Sequence, residues 1–245
     1  MQFVLSGVER RDNCLKRLHA VSGGQIVKNW DGESIPVIVG NLNGADEIQT
    51  ECRDKKIPYV YIDHGYFRRD LGLKYARFCV SNFHNTDWRD YEETPKTPVF
   101  DWKDYGGHIV ILPPAEYVSR VYRASNWLAD TIDLVRKNTD RVIMVKRKHD
   151  GDLFSVIKDC WAVVSFGSVA DVESALYGKP LFTSEFSPAS PISEKDFTKI
   201  ESPIYPDREK WIRSLYGCEW ESSEMELCWE RLKWQLPLTQ NSKPL

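Results

Sequence analysis

Residues 160–184 read Cys-Trp-Ala-Val-Val-Ser-Phe-Gly-Ser-Val-Ala-Asp-Val-Glu-Ser-Ala-Leu-Tyr-Gly-Lys-Pro-Leu-Phe-Thr-Ser. The stretch is a buried strand, a tight turn, a helix and a second strand. The run from Trp161 to Phe166 is too short for most helices and rich in strand formers. Gly167 permits a sharp turn, Ser168 is a good N-cap, and Asp171 three residues on completes a capping-box-like pair. Val169, Val172, Ala175 and Leu176 give the helix an inward stripe. Gly178 ends it, and Lys179-Pro180 returns the chain to an extended course. Backbone N–H groups at Ser168 and Val169 then point beyond the strand end, where the helix dipole favours an anion.

The same alternation extends in both directions. Towards the N-terminus, 2–5, 35–39, 58–62 and 77–80 read as strands, with helices over 12–21 and 45–55. Residues 84–107 are polar and carry Pro95, Pro98, Gly106 and Gly107, the composition of a linker or long loop. A second block follows, with strands at 108–112 and 141–145 and helices over 125–137 and 152–158. Residues 207–215 and 223–236 read as amphipathic helices of a tail. Strands alternating with crossover helices imply parallel sheets. The expected architecture is α/β: two facing Rossmann-like domains and a C-terminal helical tail. Its parts are 1–107 as an acceptor-binding domain with linker, 108–205 as a nucleotide-sugar-binding domain, and 206–245 packing across both. Ligands of such sheets bind beyond the carboxyl ends of the strands.

Composition narrows the function classes. A net charge of −3 argues against a protein held on nucleic acid by bulk charge, while leaving room for a local basic groove. Cys14, Cys52, Cys79, Cys160, Cys218 and Cys228 form no C-x-x-C pair, so no zinc signature is present and reduced buried thiols are expected. There is no signal-like N-terminus and no apolar run long enough to span a bilayer. A soluble cytoplasmic protein without a membrane partner is the expectation.

Ile109-Val110-Ile111-Leu112-Pro113-Pro114, the basic strand end at Lys146, and Val-Ser-Phe-Gly-Ser followed by Glu173, Ala175, Leu176 and Gly178-Lys179-Pro180 resemble GT-B glycosyltransferases. The wider string through 202–211 looks like phage-encoded proteins of that type. The resemblance covers roughly residues 108–216. It implies a UDP-sugar donor, no tightly bound cofactor and no metal. Ser165, Gly167 and Ser168 would contact the diphosphate, Glu173 the ribose hydroxyls, and Lys146 or Lys148 the phosphate charge. Lys146-Arg147-Lys148-His149 lacks the proline usual after that strand, so the phosphate-binding cation stays open. Phage enzymes of this fold glycosylate hydroxymethylated pyrimidines, which suggests double-stranded DNA with modified bases as acceptor, in the host cytoplasm. A surface polysaccharide or lipid-linked glycan, or a nucleotide-binding protein without catalysis, are the alternatives.

Candidate chemistry in the first half centres on Asp63-His64, at a strand end before Gly65. Either residue would take the proton of an acceptor hydroxyl; equally, the pair reads as a turn cap and a histidine packed on Tyr66. Glu9 is a second candidate base or an exposed charge beside Arg10 and Arg11. Tyr66, Phe67, Arg68, Arg69, Lys74, Tyr75, Arg77, Phe83, Trp88 and Arg89 interleave aromatic and basic residues. They read as a DNA-facing groove, with Tyr66, Arg68, Arg69 and Arg77 as its contacts, or as a solvated face over core aromatics. The loop 187–193 approaches a donor sugar in GT-B proteins, or is only a rigid loop. Asp150-Gly151-Asp152 reads as a solvated turn before a metal site.

Overall fold

The computed structural model describes residues 1–41, 44–85 and 91–236. Trp88 and Arg89 lie outside them. In chain order the elements are β1 (Gln2–Val4), α1 (Glu9–Ser22), β2 (Gln25–Val27), β3 (Pro36–Val39), α2 (Ala45–Lys55), β4 (Val60–His64) and β5 (Tyr75–Val80). Next come β6 (His108–Leu112), α3 (Glu116–Tyr122), α4 (Trp127–Arg136), β7 (Val142–Val145), α5 (Leu153–Ile157), β8 (Cys160–Ser165), α6 (Val169–Leu176), β9 (Leu181–Thr183) and α7 (Glu209–Gly217). The last are β10 (Glu219–Glu221) and α8 (Met225–Gln235). They group into two compact units, Met1–Asn85 with Cys218–Leu245, and Thr86–Gly217. The tail expected at 206–245 is therefore divided: α7 belongs to the second unit, β10 and α8 to the first.

The first unit is built on a six-stranded sheet of order β10-β5-β4-β3-β1-β2. β2, β1, β3 and β4 are parallel neighbours, whereas β5 is antiparallel to both β4 and β10. A wholly parallel sheet was expected. The ten residues between β4 and β5 hold only a 3₁₀ segment at Arg69–Lys74, and without a crossover helix the chain returns antiparallel. Phe3, Val37, Val39, Val60, Ile62 and Phe78 pack against Leu15 and Leu18 of α1 and Cys228 and Leu232 of α8. Each such large apolar side chain contributes about 1.5–3 kcal/mol through burial.

The second unit carries four parallel strands in the order β7-β6-β8-β9. Ile109, Ile111, Ala162, Val164 and Phe182 form its core with Val135 of α4 and Ile200. Residues 91–107 hold no helix or strand, but their second half is a fastened strap rather than a free linker. Phe100 N–H donates to Leu176 O (2.8 Å), Lys103 N–H to Gly178 O (2.7 Å) and Trp102 Nε1 to Pro206 O (2.8 Å). The strap explains Gly178-Lys179-Pro180. Gly178 has φ +84°, and a Cβ there would overlap the Asp101 carbonyl. Lys179, fully buried, donates from Nζ to Cys160 O (2.7 Å) and Tyr105 O (3.3 Å).

The two units share a plan. In each, the first strand leads to a neighbour on one side (β1 to β2, β6 to β7), and the third leads to a neighbour on the other (β3 to β4, β8 to β9). The order in which strands are added therefore switches side between β1 and β3, and again between β6 and β8, all of them parallel. Sheets of this kind open a crevice at the carboxyl ends of such a pair.

Candidate functional site

At the carboxyl end of β4, Asp63 and His64 are both about a quarter exposed. Asp63 Oδ1 accepts from His64 N–H (2.8 Å) and lies 3.0 Å from His64 Nδ1. Asp63 Oδ2 accepts from Tyr61 Oη (3.0 Å) and Arg77 Nη2 (3.0 Å). Burial pushes the Asp63 carboxyl up, but Arg77 and the His64 hydrogen bonds outweigh it and hold it well below the ordinary carboxylate range. An ionised carboxylate only accepts, so His64 Nδ1 is the protonated nitrogen and the neutral ring keeps Nε2 as an acceptor. The pair is thus a carboxylate engaged by Tyr61, Arg77 and His64, beside an imidazole that it orients.

The loop after His64 is held by a residue the sequence reading missed. Glu219 of β10, 1% exposed, accepts from the N–H groups of Tyr66 and Phe67 and from Arg68 Nε (2.8 Å). No sequence signal singles it out, because it lies about 150 residues away in a strand of three. Three of the four candidate DNA contacts, Tyr66, Arg68 and Arg77, are engaged inside the first unit. Arg77 is buried and spends its guanidinium on Asp63, Phe83 O (3.1 Å) and His64 O. Tyr66 is buried, its hydroxyl accepting from Asn85 N–H (2.9 Å), and Arg68 is paired with Glu219. Arg69 is exposed and Lys74 pairs with Glu221 (3.3 Å). Glu9 is exposed in the first turn of α1.

In the second unit the corner between β8 and α6 has the expected form, with one change in its chemistry. Ser168 caps α6, its hydroxyl accepting from Ala170 N–H (3.1 Å), while Asp171 Oδ2 accepts from Ser168 N–H (2.9 Å). The Ser168 amide is therefore not bare. Asp171 Oδ2 also accepts from Ser187 Oγ (2.6 Å), which seats the 187–193 loop against the corner. A Cβ on Gly167 would lie 3.3 Å from the Ser187 backbone. Asp171 is fully buried, and burial raises its carboxyl to about 6 even though Ser187 and Ser168 pull the other way. Ser165 is 1% exposed and stands beside the Asp171 carboxyl, whose titration it helps to lower, although the geometry between them falls outside that of an ordinary hydrogen bond.

Of the remaining donor-site candidates, Lys146 is buried, and its ammonium holds the following turn through Arg147 O (3.1 Å) and Gly151 O (2.8 Å). Lys148 and Glu173 are exposed, Gly167 and Ser168 half-buried. Asp150 and Asp152 accept the amides of Arg147 and Ser155. No group of three or more metal-ligating side chains occurs among the described residues, and none of their helices is long and apolar enough to cross a membrane.

No family model matches the chain, and no curated protein does. Among solved structures, the beta Kdo 2,4 transferase KpsC of Thermosulfurimonas dismutans is similar at 11% identity and a TM-score of 0.44, over 87% of this chain and 89% of that one. The beta Kdo 2,7 transferase KpsC of the same organism is similar at 11% identity and a TM-score of 0.44, over 95% of this chain and 99% of that one. Similarity at that level does not transfer a function.

Proposed function

We propose that this protein is a glycosyltransferase that moves a sugar from a nucleotide-sugar, UDP-linked in the first instance, to a hydroxyl acceptor. The observation that carries the reading is the Asp63–His64 pair, a carboxylate-held imidazole at a strand end of an α/β sheet. In the reaction the acceptor O–H proton passes to His64 Nε2. The acceptor oxygen forms the new bond to the anomeric carbon, and the bond from that carbon to the diphosphate oxygen breaks. General base catalysis of this kind contributes about 10²–10⁴-fold. Asp63 keeps the ring in the tautomer that accepts the proton and stabilises the imidazolium that forms.

The donor is assigned to the second unit, at the switch between β6 and β8. There the Val169 amide, which has no acceptor among the described residues, and the exposed Lys148 would meet the diphosphate, and the exposed Glu173 the ribose. A glycan or small hydroxylated acceptor is preferred to duplex DNA, because Tyr66, Arg68 and Arg77 are engaged inside the first unit.

Incubation with UDP-sugars and a panel of acceptors, hydroxymethylated DNA included, followed by mass spectrometry, tests the reading. His64→Ala is expected to lower transfer by about 10²-fold or more while leaving UDP binding intact. Transfer at the wild-type rate in that variant would remove His64 from the chemistry. UDP binding without turnover on any acceptor would favour the non-catalytic alternative.

A further inference from the structure

We propose that the crevice between β1 and β3 of the first unit is a binding site for a small anionic ligand, a carboxylate or phosphate group, with Arg11 as its cation. The binding does not depend on the transferase reading. β1 runs to β2 on one side and β3 to β4 on the other, so the carboxyl ends of β1 and β3 flank the point where the strand order switches side, the place where such sheets take ligands.

Arg11 is set there by its neighbours. Ser6 donates from both N and Oγ to Asp12 Oδ1 (2.7 and 2.8 Å), which fixes the turn from β1 into α1. The Arg11 guanidinium then lies over Gly40, the residue after β3. Gly40 has φ +64°, and a Cβ there would stand 2.5 Å from Arg11 Nη1 and 3.1 Å from Cζ. A side chain at this position is strained by the positive φ and would displace the Arg11 guanidinium.

What marks the crevice is a set of unused polar groups. Arg11 is half-buried, and its side chain has no ion pair or hydrogen bond among the described residues. Asn41 Oδ1 beside Gly40 has no hydrogen-bond partner among them. Each buried polar group left unpaired is costly, and a lone guanidinium more so. A ligand bringing a bidentate anion to Arg11, and a hydroxyl to the Asn41 oxygen, satisfies both at once. The equivalent corner of the second unit differs here. Its third strand, β8, leads to a helix whose first turn already holds a carboxylate of the chain, Asp171. At β3 the helix that follows also carries carboxylates in its first turn, Asp46 and Glu47, but Arg11 has no ion pair with either among the described residues. The geometry suits a compact ligand and not a duplex, since it presents one recessed guanidinium and no row of cations.

The test uses the full chain and three probes: inorganic phosphate, glucuronate, and glucose as the uncharged match. Isothermal titration is expected to show saturable binding of glucuronate, phosphate or both, and binding of glucose at least about tenfold weaker. Glucuronate preferred over phosphate identifies a sugar acid; the reverse identifies a bare anion or phosphate ester. Arg11→Gln is expected to weaken the charged probes about tenfold or more. If that variant does not fold, amide shift perturbations in the wild type replace it, expected at Gly40 and Asn41. No saturable binding of either anion, equal binding by Arg11→Gln, or perturbations confined to other residues would overturn the proposal.

Discussion

Replacing Asp171 by asparagine isolates a carboxyl that burial raises far above its ordinary value. The side chain is fully buried, and its carboxyl titrates at about 6 in the folded chain against 3.8 when unfolded. Between those values the folded state binds more protons, so Asp171 lowers stability as pH rises through the window. The whole effect is about 3 kcal/mol, from about two pH units at 1.36 kcal/mol each. About 2 kcal/mol of it falls between pH 4.5 and 7.5. The wild-type profile alone does not display this, because His84 acts in the opposite sense. Burial, with Arg77 nearby, drives the His84 imidazole well below its ordinary value. The folded state then binds fewer protons, and stability present above about 6.5 is lost on acidification. Subtracting wild-type from Asp171→Asn stability cancels the His84 contribution. The asparagine retains an oxygen for the Ser168 amide and the Ser187 hydroxyl. Urea unfolding followed by tryptophan fluorescence from pH 4.5 to 7.5 is the assay. The difference is expected to grow in favour of the variant by about 2 kcal/mol and level off above pH 7. A difference that is flat, or falls with pH, would show that Asp171 is ionised like an ordinary surface carboxylate.

Other consequences follow from the same contacts. Glu219→Gln removes the charge that faces Arg68 and weakens the hold on the Tyr66 and Phe67 amides. A stability loss of about 3 kcal/mol is expected by chemical denaturation, as for breaking one side of a buried pair, with reduced transfer because the loop after His64 is released. His84→Gln should flatten the acid limb of the stability profile below pH 6.5, read by the same urea titration. UDP affinity should rise in Asp171→Asn at pH 7.5, with the advantage over wild type shrinking by pH 5. Two like charges 6 Å apart at an effective dielectric of 20 repel by about 3 kcal/mol, and calorimetry that finds no change at either pH would place the diphosphate away from α6.

How legible each part was depends on how local its cause is. α2 runs from Ala45 to Lys55 and β6 from His108 to Leu112, the bounds that hydrophobic period and breakers give from the sequence. The Ser168–Asp171 cap forms as its spacing implies, because capping involves neighbours in the chain. β2 and β10 were missed, since three residues carry no readable alternation and Gln25 and Ile26 are exposed. α3 was missed next to Pro113-Pro114, where proline suggested only a stop. The site was harder still. Asp63-His64 is legible as a strand-end pair, but the division of labour within it comes from Tyr61 and Arg77. Arg77 shows the limit: its charge reads as a surface feature, and only β5 lying antiparallel beside β4 turns it inward onto Asp63.

The repetition of one strand plan in both units sharpens the contrast at their corners. The third strand of each unit is followed by a glycine on the way to a helix, Gly40 before α2 and Gly167 before α6. Identical topology predicts identical affinity for anions, since the helix dipole and strand-end amides are the same in kind. The side chains break that equality in opposite directions. At Gly167 the packing partner is the Ser187 backbone, and an internal carboxylate already occupies the first turn of the helix. At Gly40 the packing partner is the Arg11 guanidinium, and no carboxylate pairs with it among the described residues. A diphosphate entering the second unit must therefore share its corner with Asp171 and rely on cations such as Lys148, whereas an anion entering the first meets a guanidinium that pairs with neither carboxylate of the first turn of α2, Asp46 or Glu47. Anion recognition in this chain then follows from how each corner's charges are already paired, and fold symmetry alone does not decide it.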